Sequence, residues 1–276
     1  MKRLTPYEEL DNVLRKHANR LREALGRRFT GMYLQGSLAI GDFDLTSDVD
    51  FIVVTEGGDL KTQEVEAVQA VHTRTYNEKD RWVKRLEYSF FPKATLQSSS
   101  SPYDTKGRVE SPERELWYFD NGHQKIERSD HCNTLVTRWT VREKGITVLG
   151  PEPSTLVEAI RADDLTVEIK NTAVGWGIEL LQNPIPYRNR FYQSYLVLNY
   201  CRMLHDLYAG SINSKWVGVR WAKEELDSSW ESLIDFCWTE RQDTSISVRQ
   251  PSDAAIFPKS IEFVEYAVSL AEKYKV

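Results

Sequence analysis

Two aspartates stand at the mouth of an apolar strand. Asp48-Val49-Asp50 runs straight into Phe51-Ile52-Val53-Val54, a β-branched run of the kind that forms a buried strand. Side chains alternate along a strand, so Asp48 and Asp50 share one face while Val49 and Phe51 take the other. An ionised carboxylate is expensive to remove from water unless something pairs with it. A chain that places two of them here must gather cations or donors around this point. Upstream, Tyr33-Leu34-Gln35-Gly36-Ser37 reads as the end of a strand turning into a short helix. Glycine permits close backbone approach, free N–H groups at a helix start attract phosphate, and the Ser37 hydroxyl adds one more donor. Two carboxylates opposite such a cradle form a divalent-metal site for a nucleoside triphosphate.

The flanking pattern is that of a small α/β unit. Leu10, Val13, Leu14, His17, Leu21 and Leu25 recur at helical spacing within residues 7–28. A strand over 31–34 follows, then the Asp-x-Asp strand over 50–54, a helix over 64–77 and a third strand over 85–91, bounded by Pro92. Between Arg81 and Tyr103 the one acidic residue is Glu87. It falls in the third strand, where it can face the same side as the aspartates. A two-metal transfer of a phosphoryl or nucleotidyl group uses a third carboxylate as metal ligand, as base for the attacking hydroxyl, or as both.

Beyond this unit, a serine-rich stretch over 97–104 is the most linker-like in the chain, and Asp120-Asn121-Gly122 is a turn signal between short strands over 117–128. A helix is expected over 134–144, stopped by Gly145. Gly150-Pro151-Glu152-Pro153 punctuates strongly, so the expected domains are 1–150 and 151–276. The second half reads as helices at about 156–182, 189–209, 214–226, 228–239 and 259–275, with Ser214 as an N-cap and short connections typical of an antiparallel bundle. The expected fold is α+β: an N-terminal domain with a small mixed β-sheet flanked by helices, and a C-terminal α-helical bundle.

Composition narrows the partners. Among 276 residues, 36 Lys+Arg stand against 41 Asp+Glu, a net charge of −5 that weighs against a nucleic-acid binder. No apolar run approaches the length of a membrane span and no signal peptide is read at the start. Cys132, Cys201 and Cys237 have no paired or metal-type spacing, which points to reduced thiols in a cytoplasmic protein. A monomer is expected. The many aromatics of the second half, Trp176, Tyr195, Tyr200, Trp216, Trp221, Trp230 and Trp238 among them, read first as core.

Gly-Ser, ten residues, Asp-x-Asp and a further acid on the next strand resemble the DNA-polymerase-β-like nucleotidyltransferase superfamily over about residues 28–92. The second half is similar to the aminoglycoside adenylyltransferases that modify streptomycin and spectinomycin. Leu149-Gly150-Pro151, Val197-Leu198-Asn199-Tyr200-Cys201-Arg202, and Tyr208 to Ile212 with Ser214-Lys215 and Trp221-Ala222 carry this likeness. The resemblance implies a transfer of AMP from ATP to a hydroxyl of a small acceptor, with an aminoglycoside-like antibiotic first. It implies that Gly36, Ser37, Ser47 and Lys215 contact the triphosphate. Asp48 and Asp50, with Glu87 as a possible third ligand, would hold two Mg²⁺ ions, and Glu87 would be the base. Two departures stand out. Asn189 to Ser194 contains no acid where that family has a drug-binding one, and the family's drug-contacting tryptophan, in a Glu-Leu-Gln-Phe-Gly-Glu-Trp context, has no clear counterpart, the nearest text being Arg114-Glu115-Leu116-Trp117-Tyr118-Phe119-Asp120.

Other polar groups receive plainer readings. Ser129 or Asp130 is expected to cap the helix that follows, and His131 with Cys132 makes no zinc site by themselves. Asn121 and His123 could lie near the cleft, Arg188 and Arg190 could touch phosphate or base, and Glu224 and Glu225 read as a solvated face. Two other functions stay open. One is a nucleotidyltransferase acting on a protein or RNA, toxin-like or regulatory, with the acidic balance weighing against RNA. The other is a non-catalytic nucleotide sensor, which would need no third carboxylate.

Overall fold

The computed structural model describes residues 3–98 and 114–275; the serine-rich stretch from residue 99 onward lies outside them. The described chain divides into two compact units, one of residues 3–43, 47–98 and 114–160 and one of 44–46 and 161–275.

The first unit is built on a six-stranded mixed sheet. Its strands are β1 (Phe29–Leu34), β2 (Val49–Thr55), β3 (Leu86–Pro92), β4 (Leu116–Phe119), β5 (Glu127–Ser129) and β6 (Ile146–Leu149). Their order is β5-β4-β3-β2-β1-β6. Only β2 and β3 run parallel; every other neighbouring pair is antiparallel. The parallel pair needs a crossover, which α3 (Thr62–Tyr76) supplies. Helix α1 (Glu8–Leu25) lays Leu10, Val13, Leu14, Ala18 and Leu21 on one sheet face, against Met32, Phe51, Val53, Tyr88 and Phe90. Its apolar residues recur every three and four positions, and that stripe is what docks it.

The other face carries a smaller core of Tyr33, Ile52, Val54, Phe91, Tyr118 and Cys132 with Val141 of α5 (Leu135–Lys144). Two short helices, α2 (Gly36–Ile40) and α4 (Lys93–Gln97), follow β1 and β3. Two details depart from the sequence reading. Ile146–Leu149 is an edge strand on β1, a pairing its four residues do not signal. Helix α5 is capped by Thr134, whose side chain accepts from Thr137 N at 3.0 Å. Ser129 instead accepts from His131 N at 3.1 Å, so neither it nor Asp130 is the cap; the chain makes a further turn before the helix begins.

The second unit is helical: α6 (Ala162–Gln182), α7 (Arg190–Ala209), α8 (Lys215–Glu225), α9 (Glu231–Arg241) and α10 (Ile256–Lys273). Helix α6 starts later than the pattern predicts, because Leu156 and Val157 belong to the core of the first unit instead. Helix α7 is buried on nearly every side and packs on α6, α8, α9 and α10. A Cβ on Gly218 would lie 2.5 Å from Arg202 Cα, so α8 crosses α7 at a distance only glycine allows. Tyr200 is fully buried, stacks on Trp176 at 5.5 Å and donates to the carbonyl of Ala173 at 2.9 Å. Trp216, in contrast, is exposed. Among the described residues no helix is long and apolar enough to cross a membrane.

Candidate active site

The parallel pairing of β2 with β3 sets the register Val49 to Leu86 and Asp50 to Glu87. Asp50 and Glu87 are therefore direct neighbours on one face of the sheet, at the starts of adjacent strands. Asp48 lies two residues before Asp50, the spacing that returns a side chain to the same face. Ile52, Ser89 and Tyr118 continue that face inward through the register of β2, β3 and β4. The carboxylates sit where an apolar core gives way to the sheet end: Asp48 and Asp50 are partly buried and the Glu87 side chain is 12% exposed.

Strand β1 ends beside them. Gln35 N donates to the carbonyl of Asp50 at 2.9 Å, which ties the turn after β1 to β2. Gly36, the first residue of α2, has φ +57°, and a Cβ there would lie 2.9 Å from Asp50 Cγ and nearer still to the carboxylate. The glycine thus serves twice, for a left-handed backbone and for close approach to an acid. Ser37 follows it in α2. Ser47 is 6% exposed, and its carbonyl accepts from Arg85 at 3.2 Å.

The loop from β4 to β5 closes the other side. Asn121 Nδ2 donates to Asp48 Oδ1. The Asp120 carboxylate accepts from Asn121 N at 2.9 Å and from the Tyr118 hydroxyl at 3.0 Å. Helix α3 pins this loop, Tyr76 donating to the carbonyl of Gly122 at 3.0 Å and His72 Nε2 lying 3.0 Å from the carbonyl of His123. His72 continues a buried polar chain, with Nδ1 3.1 Å from the Tyr88 hydroxyl and His17 Nε2 3.2 Å from its other side. Burial holds both imidazoles neutral, lowering His17 to about 3, with His72 and Arg20 nearby adding to the effect, and His72 to about 4.

Beyond β5 the chain turns back over the same face. His131 Nε2 lies 3.4 Å from Glu87 Oε1, and Cys132 is buried below it. Burial pushes the Cys132 thiol up, with the charges of Glu87, Asp50 and Asp120 acting in the same direction. Tyr118 is raised for the same first reason, and then by Glu87, Cys132 and Asp120. Ser89, Tyr118 and the His131–Cys132 pair were not among the expected site residues. The alternation Glu87, Ser89 along β3 is the one sequence signal that could have found Ser89.

In the helical unit, Lys215 opens α8 directly after its cap, Ser214, which accepts from Val217 N at 3.2 Å. Its Nζ stands 5.0 Å above the ring of Tyr195, which in turn stacks on Phe191 at 5.1 Å. Arg190 is engaged by Glu240 through two nitrogens at 2.8 and 2.9 Å. Asn189 caps α7, accepting from Tyr192 N at 2.9 Å. Glu224 and Glu225 lie exposed on α8.

Chemically, the first unit offers hard oxygen donors that suit Mg²⁺, a glycine turn against one of them, and a third carboxylate shielded from most solvent.

Two family matches cover most of the chain. Residues 14–128 match the nucleotidyltransferase domain family, and residues 155–266 match the C-terminal domain of aminoglycoside adenylyltransferases. Among solved structures, the chain is similar to the spectinomycin adenyltransferase AAD(9) from Enterococcus faecialis, determined with ATP and spectinomycin. The likeness has a TM-score of 0.65 and 15% identity, over 95% of this chain and 99% of that one, and at this identity it speaks for the fold. No curated protein sequence matches significantly.

Proposed function

We propose, for a chain that belongs to the nucleotidyltransferases built like the aminoglycoside adenylyltransferases, that it moves AMP from ATP to a hydroxyl of a small acceptor. The observation that carries this reading is the register pairing of Asp50 with Glu87, with Asp48 two residues upstream, immediately before β2 begins.

Asp48 and Asp50 would hold two Mg²⁺ ions, with Glu87 near enough to share one. When bound, the ions supply positive charge to the triphosphate and to the departing pyrophosphate. The residues of this chain do the rest. Gly36 leaves room for a phosphate against the backbone, and Ser37 and Ser47 contribute donors to its oxygens. Glu87 takes the proton of the acceptor hydroxyl as that oxygen attacks the α-phosphorus, and pyrophosphate leaves with the electron pair of the broken P–O bond. Lys215 is the residue proposed to neutralise the phosphates from the helical domain.

The acceptor is a small hydroxylated molecule, with an aminoglycoside-like antibiotic first, supported by the C-terminal family and by the spectinomycin in the similar structure. We place the enzyme in the cytoplasm as a monomer. All three cysteines are free and buried, which accords with a reducing compartment.

The test incubates the protein and Mg²⁺ with labelled ATP, GTP, CTP or UTP and pooled aminoglycosides. Transfer of label from ATP to one of the drugs is the expected result. Label on a protein or on RNA from a cell extract, with none on any drug, would replace the small acceptor by a macromolecule. ATP binding without transfer to any acceptor would leave a sensor.

A further inference from the structure

Glu87, His131 and Cys132 bring a carboxylate oxygen, an imidazole nitrogen and a thiol sulfur within 4.8 Å of one another. We propose that these three residues form a binding site for a borderline-soft divalent ion, Zn²⁺ in the first place, distinct in chemistry from a Mg²⁺ site.

The donor set is the argument. Mg²⁺ takes oxygen ligands in octahedral geometry, whereas Zn²⁺ accepts mixed sulfur, nitrogen and oxygen donors in tetrahedral geometry. Donor atoms around a tetrahedral zinc stand roughly 3.5 Å apart, and His131 Nε2 is already 3.4 Å from Glu87 Oε1. Three protein ligands leave the fourth position to water.

The supporting frame is rigid. The turn that carries His131 and Cys132 is closed by Asn133 N donating to the carbonyl of Asp130 at 2.9 Å and Thr134 N donating to that of Cys132 at 2.9 Å. Asn133 is itself fixed, donating to the carbonyl of Arg114 at 2.8 Å and accepting from Arg138 at 2.6 Å. The Cys132 sulfur forms the floor and the exposed His131 ring the mouth, so an ion has a way in.

A second observation points to the same spot. Ser89 is 1% exposed, lies beside Cys132, and its hydroxyl makes no hydrogen bond of normal geometry. A buried hydroxyl without a partner costs free energy, and a metal-bound thiolate gives it an acceptor. As the sulfur–metal bond forms, the thiol gives up its proton to solvent.

The site shares Glu87 with the proposed catalytic base. On that reading, and only on it, Zn²⁺ is an inhibitor that withdraws the base from the reaction.

The probe is Co²⁺ titrated into the full-length protein, followed by absorption, with Zn²⁺ as competitor. The expected spectrum has a thiolate-to-cobalt charge-transfer band and the visible bands of a four-coordinate ion, both removed by Zn²⁺. Cys132→Ser should abolish the charge-transfer band. His131→Ala, at an exposed position, should weaken Co²⁺ binding at least tenfold, with the melting temperature measured on the same variant. A wild-type spectrum of six-coordinate Co²⁺, or a charge-transfer band that survives Cys132→Ser, overturns the proposal. So does loss of binding in His123→Ala rather than His131→Ala, which would place the ion on Asp120, His123 and Glu127. None of these readouts uses transfer activity, so failure of the zinc site and failure of the proposed reaction are told apart.

Discussion

Asn121 donates a side-chain hydrogen bond to the carboxylate of Asp48. Asp48 belongs to the strand entry and Asn121 to the loop after β4, so the contact joins a proposed metal ligand to a segment that α3 holds in place. A hydrogen bond to a charged group is worth about 1.5–3 kcal/mol. Asn121→Ala should therefore raise the Mg²⁺ concentration needed for half-maximal activity by about tenfold, with little change in melting temperature. An unchanged Mg²⁺ requirement would mean that the contact does not orient Asp48.

Gly36→Ala tests the close approach. A non-glycine residue with φ near +57° costs about 1–2 kcal/mol, and the new Cβ meets the Asp50 carboxylate. The variant should unfold at lower temperature and lose most of its affinity for Mg·ATP by calorimetry. Full nucleotide affinity would show that Asp50 does not need the place it occupies beside this glycine.

Lys215→Ala removes a charge from the start of α8 without emptying a core, since the side chain lies over Tyr195 and is only partly buried. Loss of one charge-assisted contact to phosphate should weaken ATP binding about tenfold, or ~1.4 kcal/mol. ATP affinity equal to wild type would mean that the lysine does not serve the phosphates.

The buried histidines predict a pH dependence of stability. His17 and His72 have ordinary values near 6.5 when unfolded, and about 3 and about 4 in the fold. Below pH 6.5 the unfolded chain binds protons that the folded chain refuses, so stability falls as pH drops, and it is flat in this respect above 6.5. By pH 5 the loss amounts to roughly 2 kcal/mol for each histidine. Urea unfolding between pH 7.5 and 5 checks this, and His72→Asn should flatten part of the slope. A midpoint independent of pH over that range would contradict the neutral, buried assignment.

Much of this site was legible because strand alternation is strict. A residue two positions from Asp50 must share its face, and a parallel partner strand must set something beside it, so Asp48, Asp50 and Glu87 could be named from spacing. The same logic does not reach across loops. Nothing local relates Asn121 to Asp48, or His131 to Glu87, because those meetings depend on how the chain leaves β4 and β5. The expected cap at Ser129 or Asp130 failed for a similar reason. The turn over 130–133 folds on its own hydrogen bonds, and the helix waits for Thr134. Strand β6 is four residues long and earns its pairing from β1 alone, so no periodicity in its own sequence announces it.

The central claim is that Glu87 acts as the base while Asp48 and Asp50 serve the nucleotide. The most direct measurement is the turnover of Glu87→Gln, with Mg·ATP affinity measured on the same preparation. Glutamine keeps the shape of the side chain and cannot take a proton. The account predicts that transfer falls by about 10²–10⁴-fold while Mg·ATP binds within a few-fold of wild type. Full turnover in this variant would contradict it.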